Sequence, residues 1–509
     1  MPRKDPIDLK SMDRAFFECL DASERLELLC RLHAMTVELA ERVNQNSTNS
    51  SRPPSSDSPF KGPLPGLGGP LPGKPGESKP ASGQGSAAFA GSAPADPKRK
   101  PGKQPGAKGI WRSEALIHER TEDHYPSHCE HCGQPLELWF AHEGASAHRV
   151  LELERQTGGV RIACVKHRYL AVTCTCGAKT AARPLTGGVR ILEGRKGQLR
   201  PSEAGLVGPG LTTFIAALSV RYRMSRAKIA EFLSSWLDVR LSIGSIDRCI
   251  REAGLACEPI VDGLIDELKA AGVIHADETP WPQQGQKPRW LWVALCSTTA
   301  IYRISSRHAE TIRDLIGEAF LGVLVSDGYG AYRSYPRRQR CVAHLIRKGI
   351  ALIEGYEYDA ARFGEWLVRE MRALIHTVAE NKQADASAQK SVNPILARLK
   401  RACLLNKDAD GKKAGELARE ILNDWDAITA FVHDPALPPT NNDAETALRH
   451  AVIARRISYG TRTDEGSRAY AALLSVIETC RRRRQDPWGF IEKAVASARR
   501  GEATSAIPA

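Results

Sequence analysis

Three acidic residues, far apart along the chain, carry the clearest chemical signal. Asp277 follows an apolar run within Val273–Trp281, VIHADETPW, where Thr279, Pro280 and Pro282 stop further extension. Gly322–Asp327 is a second β-branched apolar run, and it again ends in an Asp beside a Gly. Glu445 lies in NNDAETALRHAV, a segment of helical character. Two buried strands thus each deliver a carboxylate at their end, and a helix delivers the third. Such a set could bind hard divalent cations, which take oxygen ligands and refuse thiolates. Phosphodiester cleavage needs a nucleophilic oxygen, a stabilised pentavalent phosphate and a supported leaving oxygen. Two divalent ions about 3.5–4 Å apart supply all three. Asp277 is the expected bridge between the ions, with Asp327 completing one and Glu445 the other. Glu278 should point to the opposite face of its strand, at the surface or in an ion pair. Arg449, His450, Arg455 and Arg456, near Glu445, could hold non-reacting phosphates.

A second constellation is built on sulfur. Cys129-x-x-Cys132 and Cys174-x-Cys176 are each followed by Gly, as a metal knuckle needs for backbone N–H groups to face the sulfurs. Four thiolates around one structural Zn²⁺ would hold a small domain of short strands that has little core of its own. His124, His128, His131, Cys164 and His167 lie nearby and could replace a ligand, and unlinked cysteines are the alternative. The chain has 13 cysteines, an odd count with few suggestive spacings. That pattern reads as a reducing cytosol without disulfides.

The elements that must position these groups follow from periodicity. After Val273, Arg289–Ser297 and Ala300–Ser305 suit the next strands of an antiparallel meander. Arg307–Phe320 suits a helix, and Gly322–Asp327 a strand parallel to the first. Three strands, a helix and a strand match the start of an RNase H-like fold. Leu345–Ala430 reads as a helical insertion with one polar gap around Lys382–Ser391. It separates the second and third acids by 118 residues, against 50 for the first pair. His433–Asn442 is a loop, and Asn442 or Asp443 could cap the helix that carries Glu445. A helix over Ser467–Arg482 runs into four arginines, Arg481 to Arg484.

Upstream, Leu211–Ala256 is helical and basic. Ser225 and Ser242 are candidate caps of helices reaching Leu233 and Ala253. Arg226, Lys228 and Arg248 stud them, together with Arg221, Arg223 and Arg251. A helix-turn-helix that enters a DNA groove fits, and so does a helical bundle with a charged face. Asp21–Val43 reads as a helix with an Asp21/Glu24 capping box, either a short coiled coil or a helix packed on its own domain. A Ser/Pro/Gly-rich linker follows, whose basic end, with Lys98, Arg99 and Lys100, could track a phosphate backbone. The expected partition is an N-terminal helix (1–46), linker (47–110), zinc-binding β domain (111–200) and helical DNA-binding domain (201–268). The catalytic core (269–345 and 433–500) then brackets the insertion (346–432), and a disordered tail (501–509) ends the chain.

Net charge over the 509 residues is +13, with a pI near 9.2, which favours a polyanionic partner. No run of 18 apolar residues exists and the start lacks an apolar secretory core, so neither membrane spans nor export are expected.

Several motifs together resemble one family. HADETP at His275–Pro280, SDGYGAY at Ser326–Tyr332, CVAHLIRK at Cys341–Lys348 and NNDAETALR at Asn441–Arg449 resemble segments of the insertion sequence 66 family of bacterial DDE transposases. SVIETCRRRRQDPWGFI resembles its closing helix, and the Pro101–Gly109 run with the cysteine pairs resembles its linker and zinc region. Ala107 stands where a His is expected, and Leu345-Ile346 where Ala-Arg is expected. The resemblance implies Asp277, Asp327 and Glu445 as catalytic triad with two Mg²⁺ (or Mn²⁺) ions, and Cys129, Cys132, Cys174 and Cys176 as zinc ligands. It implies cut-and-join transposition of an element with terminal inverted repeats, without a covalent protein–DNA intermediate. Partners would be those repeats, target DNA, further copies of the chain on DNA and two small accessory proteins of the same element, in a cytoplasmic, nucleoid-associated setting. A metal-dependent nuclease and a non-catalytic zinc regulator are the competing readings. Cys341 and His344 are expected to serve packing or DNA contact rather than a second metal.

Overall fold

The computed structural model describes residues 20–44, 116–137, 142–187, 199–284, 288–381, 386–409 and 412–508. Contacts divide the chain into one unit of residues 1–61 with 118–509 and another of 62–117. The expected linker, with Lys98, Arg99 and Lys100, lies outside the described residues.

Helix α1 (Ala22–Asn44) opens on a reciprocal cap: the Glu24 amide donates to Asp21 Oδ1 (2.8 Å) and the Asp21 amide to Glu24 Oε2 (2.9 Å). Leu28 is buried, whereas Leu29 and Leu39 are exposed.

The cysteine pairs belong to a mixed sheet. Strands β2 (His142–Gln156) and β3 (Gly159–Thr173) form a long antiparallel hairpin, much longer than the short strands expected. β1 (Arg120–His124) pairs parallel to β3, and β4 (Lys179–Ala181) pairs antiparallel to it. Glu152 on β2 turns inward and accepts the Leu211 amide (3.1 Å) at the start of α2 (Pro209–Val220). A carboxylate thereby satisfies a free helix N-terminus.

Helix α3 (Arg226–Leu237) is capped by Ser225 and α4 (Ile243–Lys269) by Ser242, as their sequences indicate. Both run past the expected ends. In α4 the apolar spacing continues through Cys257, Ile260, Leu264 and Leu268, all buried, and carries the helix across Pro259.

The central sheet has the order β7-β6-β5-β8-β9. β5 (Val273–Trp281), β6 (Arg289–Leu295) and β7 (Ala300–Ser305) are an antiparallel meander. Helix α5 (Ala309–Ile316) then leads to β8 (Val323–Ser326), which pairs parallel to β5 from Val273↔Val323 to His275↔Val325. β9 (Arg338–Arg340) adds a further parallel strand that hydrophobic patterning does not reveal. Its buried polar side chains are met from elsewhere: Arg340 by Asp424 (2.8 Å) and Gln339 by the Phe431 amide (2.7 Å).

Helices α6 (Val342–Ile353), α7 (Tyr358–Glu380), α8 (Ala386–Asn406), α9 (Lys412–Asn423) and α10 (Trp425–His433) form the insertion around a core that includes Phe363, Leu367, Met371, Leu399 and Phe431. The helix resumes at Ala386, so the polar gap is shorter than the expected Lys382–Ser391. α11 (Asn442–Ser458), α12 (Asp464–Arg482) and α13 (Pro487–Arg500) close the chain. α12 covers the free edge of β7, where the Tyr302 amide donates to Ser475 Oγ (2.8 Å) and the Ala300 amide to Thr479 Oγ1 (3.1 Å). The segment after Gly501 departs from the expected disordered tail: Ile507 is 3% exposed and its carbonyl accepts from Arg483 (2.7 Å). No helix among the described residues is long and apolar enough to cross a membrane.

Candidate active site

The three acids meet where β5 and β8 part. Their parallel pairing ends at His275↔Val325, just before Asp277 and Asp327. β5 does not stop at Asp277 but continues to Trp281 against β6. Pro280 fits there because β8 no longer needs an N–H from that edge. Asp277, Asp327 and Glu445 all line one cavity of about 260 Å³, together with Glu278, Arg307, His344, Arg347 and Arg449. Asp277 Oδ1 accepts the Glu278 amide (2.9 Å), and Asp327 Oδ1 accepts the Tyr329 amide (2.8 Å). Burial, then the negative charges of Glu278, Asp327 and Glu445, push the Asp277 carboxyl well above the usual carboxylate range. A donor set of clustered carboxylates whose charge is uncompensated at its floor suits a hard divalent cation.

Glu278 is the departure from the sequence reading. It is ion-paired, with Arg307 (2.8 Å), but its side chain is 1% exposed and lines the same cavity. Tyr332 donates to its other oxygen at 2.6 Å. Arg307 lies 4.0 Å from the Trp290 ring centroid and 4.1 Å from that of Tyr329, so aromatic faces hold it in place.

Glu445 is aimed by a residue that sequence reasoning missed. Asn441, just before α11, is fully buried. Its side chain caps nothing; Nδ2 donates to the Ala276 carbonyl (2.8 Å) and Oδ1 lies 3.1 Å from His275 Nδ1. Its amide donates to Cys341 Sγ (3.2 Å). One asparagine thus ties the glutamate helix to the strand residues adjoining Asp277. Neither Asn442 nor Asp443 caps α11, and Asp443 instead faces Arg482 (3.8 Å). The only local signal was the Asn pair itself.

α6 supplies the basic wall. Arg347 donates to Glu445 Oε2 (3.1 Å), and His344 Nδ1 lies 3.6 Å from Oε1. That nitrogen is buried without a hydrogen bond, and burial pulls the imidazole below its usual range. Cys341 is buried, its thiol pushed up to about 11 by desolvation. Cys341, His344 and Glu445 lie close enough to share an ion, with Glu445 brought in from a remote helix.

The candidate DNA-contacting residues divide. Lys228, Arg248 and Arg456 are exposed, and Arg226 is exposed but paired with Asp247 (2.6 Å). Arg449 faces the cavity. Arg455 is turned onto β5, donating to Thr279 Oγ1 (2.9 Å) and the Pro280 carbonyl, and His450 Nε2 contacts the Val220 carbonyl at 2.8 Å. Those two side chains brace helices rather than face solvent.

The four cysteines converge. Cys129 and Cys176 sulfurs are 3.8 Å apart and those of Cys132 and Cys174 3.6 Å, close to the ~3.8 Å that tetrahedral ligands at about 2.3 Å from one Zn²⁺ require. Gly133 (φ +73°) and Gly177 (φ +85°) adopt the left-handed turn expected of each knuckle. Backbone N–H groups of Cys132 and His131 pull the Cys129 thiol down to about 6, whereas Cys176, burial and Cys174 push that of Cys132 up. His131 Nδ1 reaches only to 4.0 Å of Cys176 Sγ.

The model of the transposase IS66 family matches residues 204–469, from just before α2 through both aspartates to the glutamate helix and beyond. The chain belongs to that family of transposases. A model of a family of unknown function matches residues 21–63. Among relatives in Sinorhizobium fredii (strain NBRC 101917 / NGR234), the uncharacterized protein y4qI is 25% identical over 50% of this chain and 53% of its own length. The uncharacterized protein y4jD is 20% identical over 64% of this chain and 67% of its own, and y4hP 24% over 57% and 59%. The aligned region thus spans about half to two thirds of these relatives.

Proposed function

We propose that this protein cleaves and joins DNA strands at the ends of a bacterial insertion sequence, with Asp277, Asp327 and Glu445 as its catalytic acids. What carries the reading is that three carboxylates separated by 50 and 118 residues line one cavity in a chain of this family. The proposed core is RNase H-like, which the β7-β6-β5-β8-β9 order and the parallel β8 support. Asp277, Asp327 and Glu445, which line the cavity, would hold divalent Mg²⁺ or Mn²⁺. Bound there, the ions would lower the pKa of an attacking hydroxyl and offset charge on the phosphate. The chain's own residues do the rest. Asn441 fixes the start of the glutamate helix, Arg449 would offer a cation to a non-reacting phosphate oxygen, and Arg347 holds Glu445 by an ion pair at the cavity wall.

In the same proposal Cys129, Cys132, Cys174 and Cys176 hold a structural Zn²⁺, and Lys98, Arg99, Lys100, Arg226, Lys228, Arg248 and Arg456 contact DNA backbone. The terminal inverted repeats, target DNA, further copies of the chain and two accessory proteins are the proposed partners, in a nucleoid-associated setting. The deciding experiment incubates the full chain with DNA bearing the element's ends, target DNA and Mg²⁺. Joined product is expected from wild type, and Asp277→Asn should lose at least 10³-fold of cleavage while still binding DNA. Cleavage by wild type without joining would reduce the protein to a nuclease, and an active Asp277→Asn would remove the site.

A further inference from the structure

The sheet that carries the cysteine knuckles presents a second cluster of ligand-type side chains on one face. Across β1, β3 and β2 the register aligns Glu122 with His167 and His167 with His148, while His124 stands opposite Tyr169. Side chains two apart on a strand share a face, so Glu122 and His124 lie beside His167. His124 Nε2 and His167 Nδ1 are 2.9 Å apart, and Glu122 Oε2 is 3.6 Å from the same His167 nitrogen. One ligand atom from each of the three lies within 4.8 Å of the others. Two imidazole nitrogens held about 2.0–2.1 Å from a shared ion stand roughly 2.9–3.4 Å apart.

We propose that Glu122, His124 and His167 form a second metal site, for a borderline divalent ion of the Zn²⁺ class, separate from the cysteine knuckles. Imidazole and carboxylate together suit Zn²⁺, Co²⁺ or Ni²⁺ rather than Mg²⁺. His148 supports the arrangement: its ring lies 5.5 Å from that of His167 and its Nε2 donates to the Glu203 carbonyl (3.0 Å), which fixes its tautomer. β1 is five residues long and leads directly toward Cys129. An ion here would staple that short strand to β3 and so hold one side of the knuckle pair.

Co²⁺ titration of the untagged full chain, stripped with chelator and kept in excess Mg²⁺, tests the site. One equivalent should develop thiolate-to-cobalt charge transfer, and a further equivalent should bind without adding to that band. His124→Ala/His167→Ala should bind one equivalent fewer with the thiolate band unchanged, which also reports an intact knuckle. Glu122→Gln, a milder change, should weaken the non-thiolate equivalent about 10-fold. Cys132→Ser should do the converse, losing the band and keeping the other equivalent. A wild-type chain that takes up only the thiolate-bound equivalent, or a Glu122→Gln chain with unaltered affinity, would overturn the proposal and leave a hydrogen-bonded imidazole pair.

Discussion

Burial and three neighbouring acids raise the Asp277 carboxyl well above the usual carboxylate range. Its folded pKa lies above the unfolded value, so its stabilising contribution is complete below the ordinary carboxylate range. That contribution is lost as pH rises through the raised value. Glu278 shifts in the same direction, but Arg307 and Tyr332 partly offset it. Metal-free protein should therefore lose thermal stability as pH increases above about 4. Saturating Mg²⁺ should restore more stability at higher pH, since the cation displaces the proton. Scanning calorimetry across pH, with and without Mg²⁺, checks this; Asp277→Asn should flatten both slopes, and an unchanged slope in that variant would rule Asp277 out as the titrating group. At this scale an acid following a buried apolar run was readable in the sequence at Asp277, although the strand continues past it to Trp281. The orientation of Glu278 was not. Strand alternation sends it away from Asp277, but Arg307 and Tyr332, from elements 29 and 54 residues on, draw its carboxylate back to the cavity.

Among the elements, helix α11 matters most because it must bring Glu445 to the strand acids from across the insertion. It is placed by Asn441 bonding to Ala276, His275 and Cys341 rather than by a cap of its own. Asn441→Ala should leave the Ala276 carbonyl and the His275 ring without their buried partner. The expected cost is about 2–3 kcal/mol by denaturant unfolding. Strand cleavage should fall further than stability, since the helix start would drift relative to Asp277. A variant of normal stability and full cleavage would show that α11 is positioned by its packing alone. The capping boxes and Ser caps were legible because each involves residues three apart. β9 was not, since Arg338, Gln339 and Arg340 form a strand only because distant helices satisfy their polar groups.

For the molecule as a whole, the clearest join is Arg499 at the end of α13. It donates to both oxygens of Glu252 on α4 (2.7 and 3.1 Å) and to Thr212 on α2 (3.2 Å). Arg499 is 4% exposed and Glu252 7%. The C-terminal helix, the long α4 and the helix that receives the β module through Glu152 thus share one buried charge pair. Removing one member leaves the other charge unpaired, so Arg499→Ala should cost about 3–5 kcal/mol. Arg499→Ala/Glu252→Ala should recover part of that loss in the same unfolding measurement. Equal destabilisation of the double and single variants would mean that lost packing, not the stranded charge, sets the cost.

The sequence alone marked the acid-bearing segments, the Cys-x-x-Cys and Cys-x-Cys spacings, the Asp21/Glu24, Ser225 and Ser242 caps, and the family. Each of these is written in a few adjacent residues, where turn chemistry, β-branching and capping act over short range. Only the tertiary structure decided that the acids line one cavity, that Glu278 joins them, that Asn441 aims the glutamate helix and that Ile507 is buried. Those outcomes depend on partners supplied by remote segments, and local pattern holds no record of which distant group will satisfy a buried polar atom.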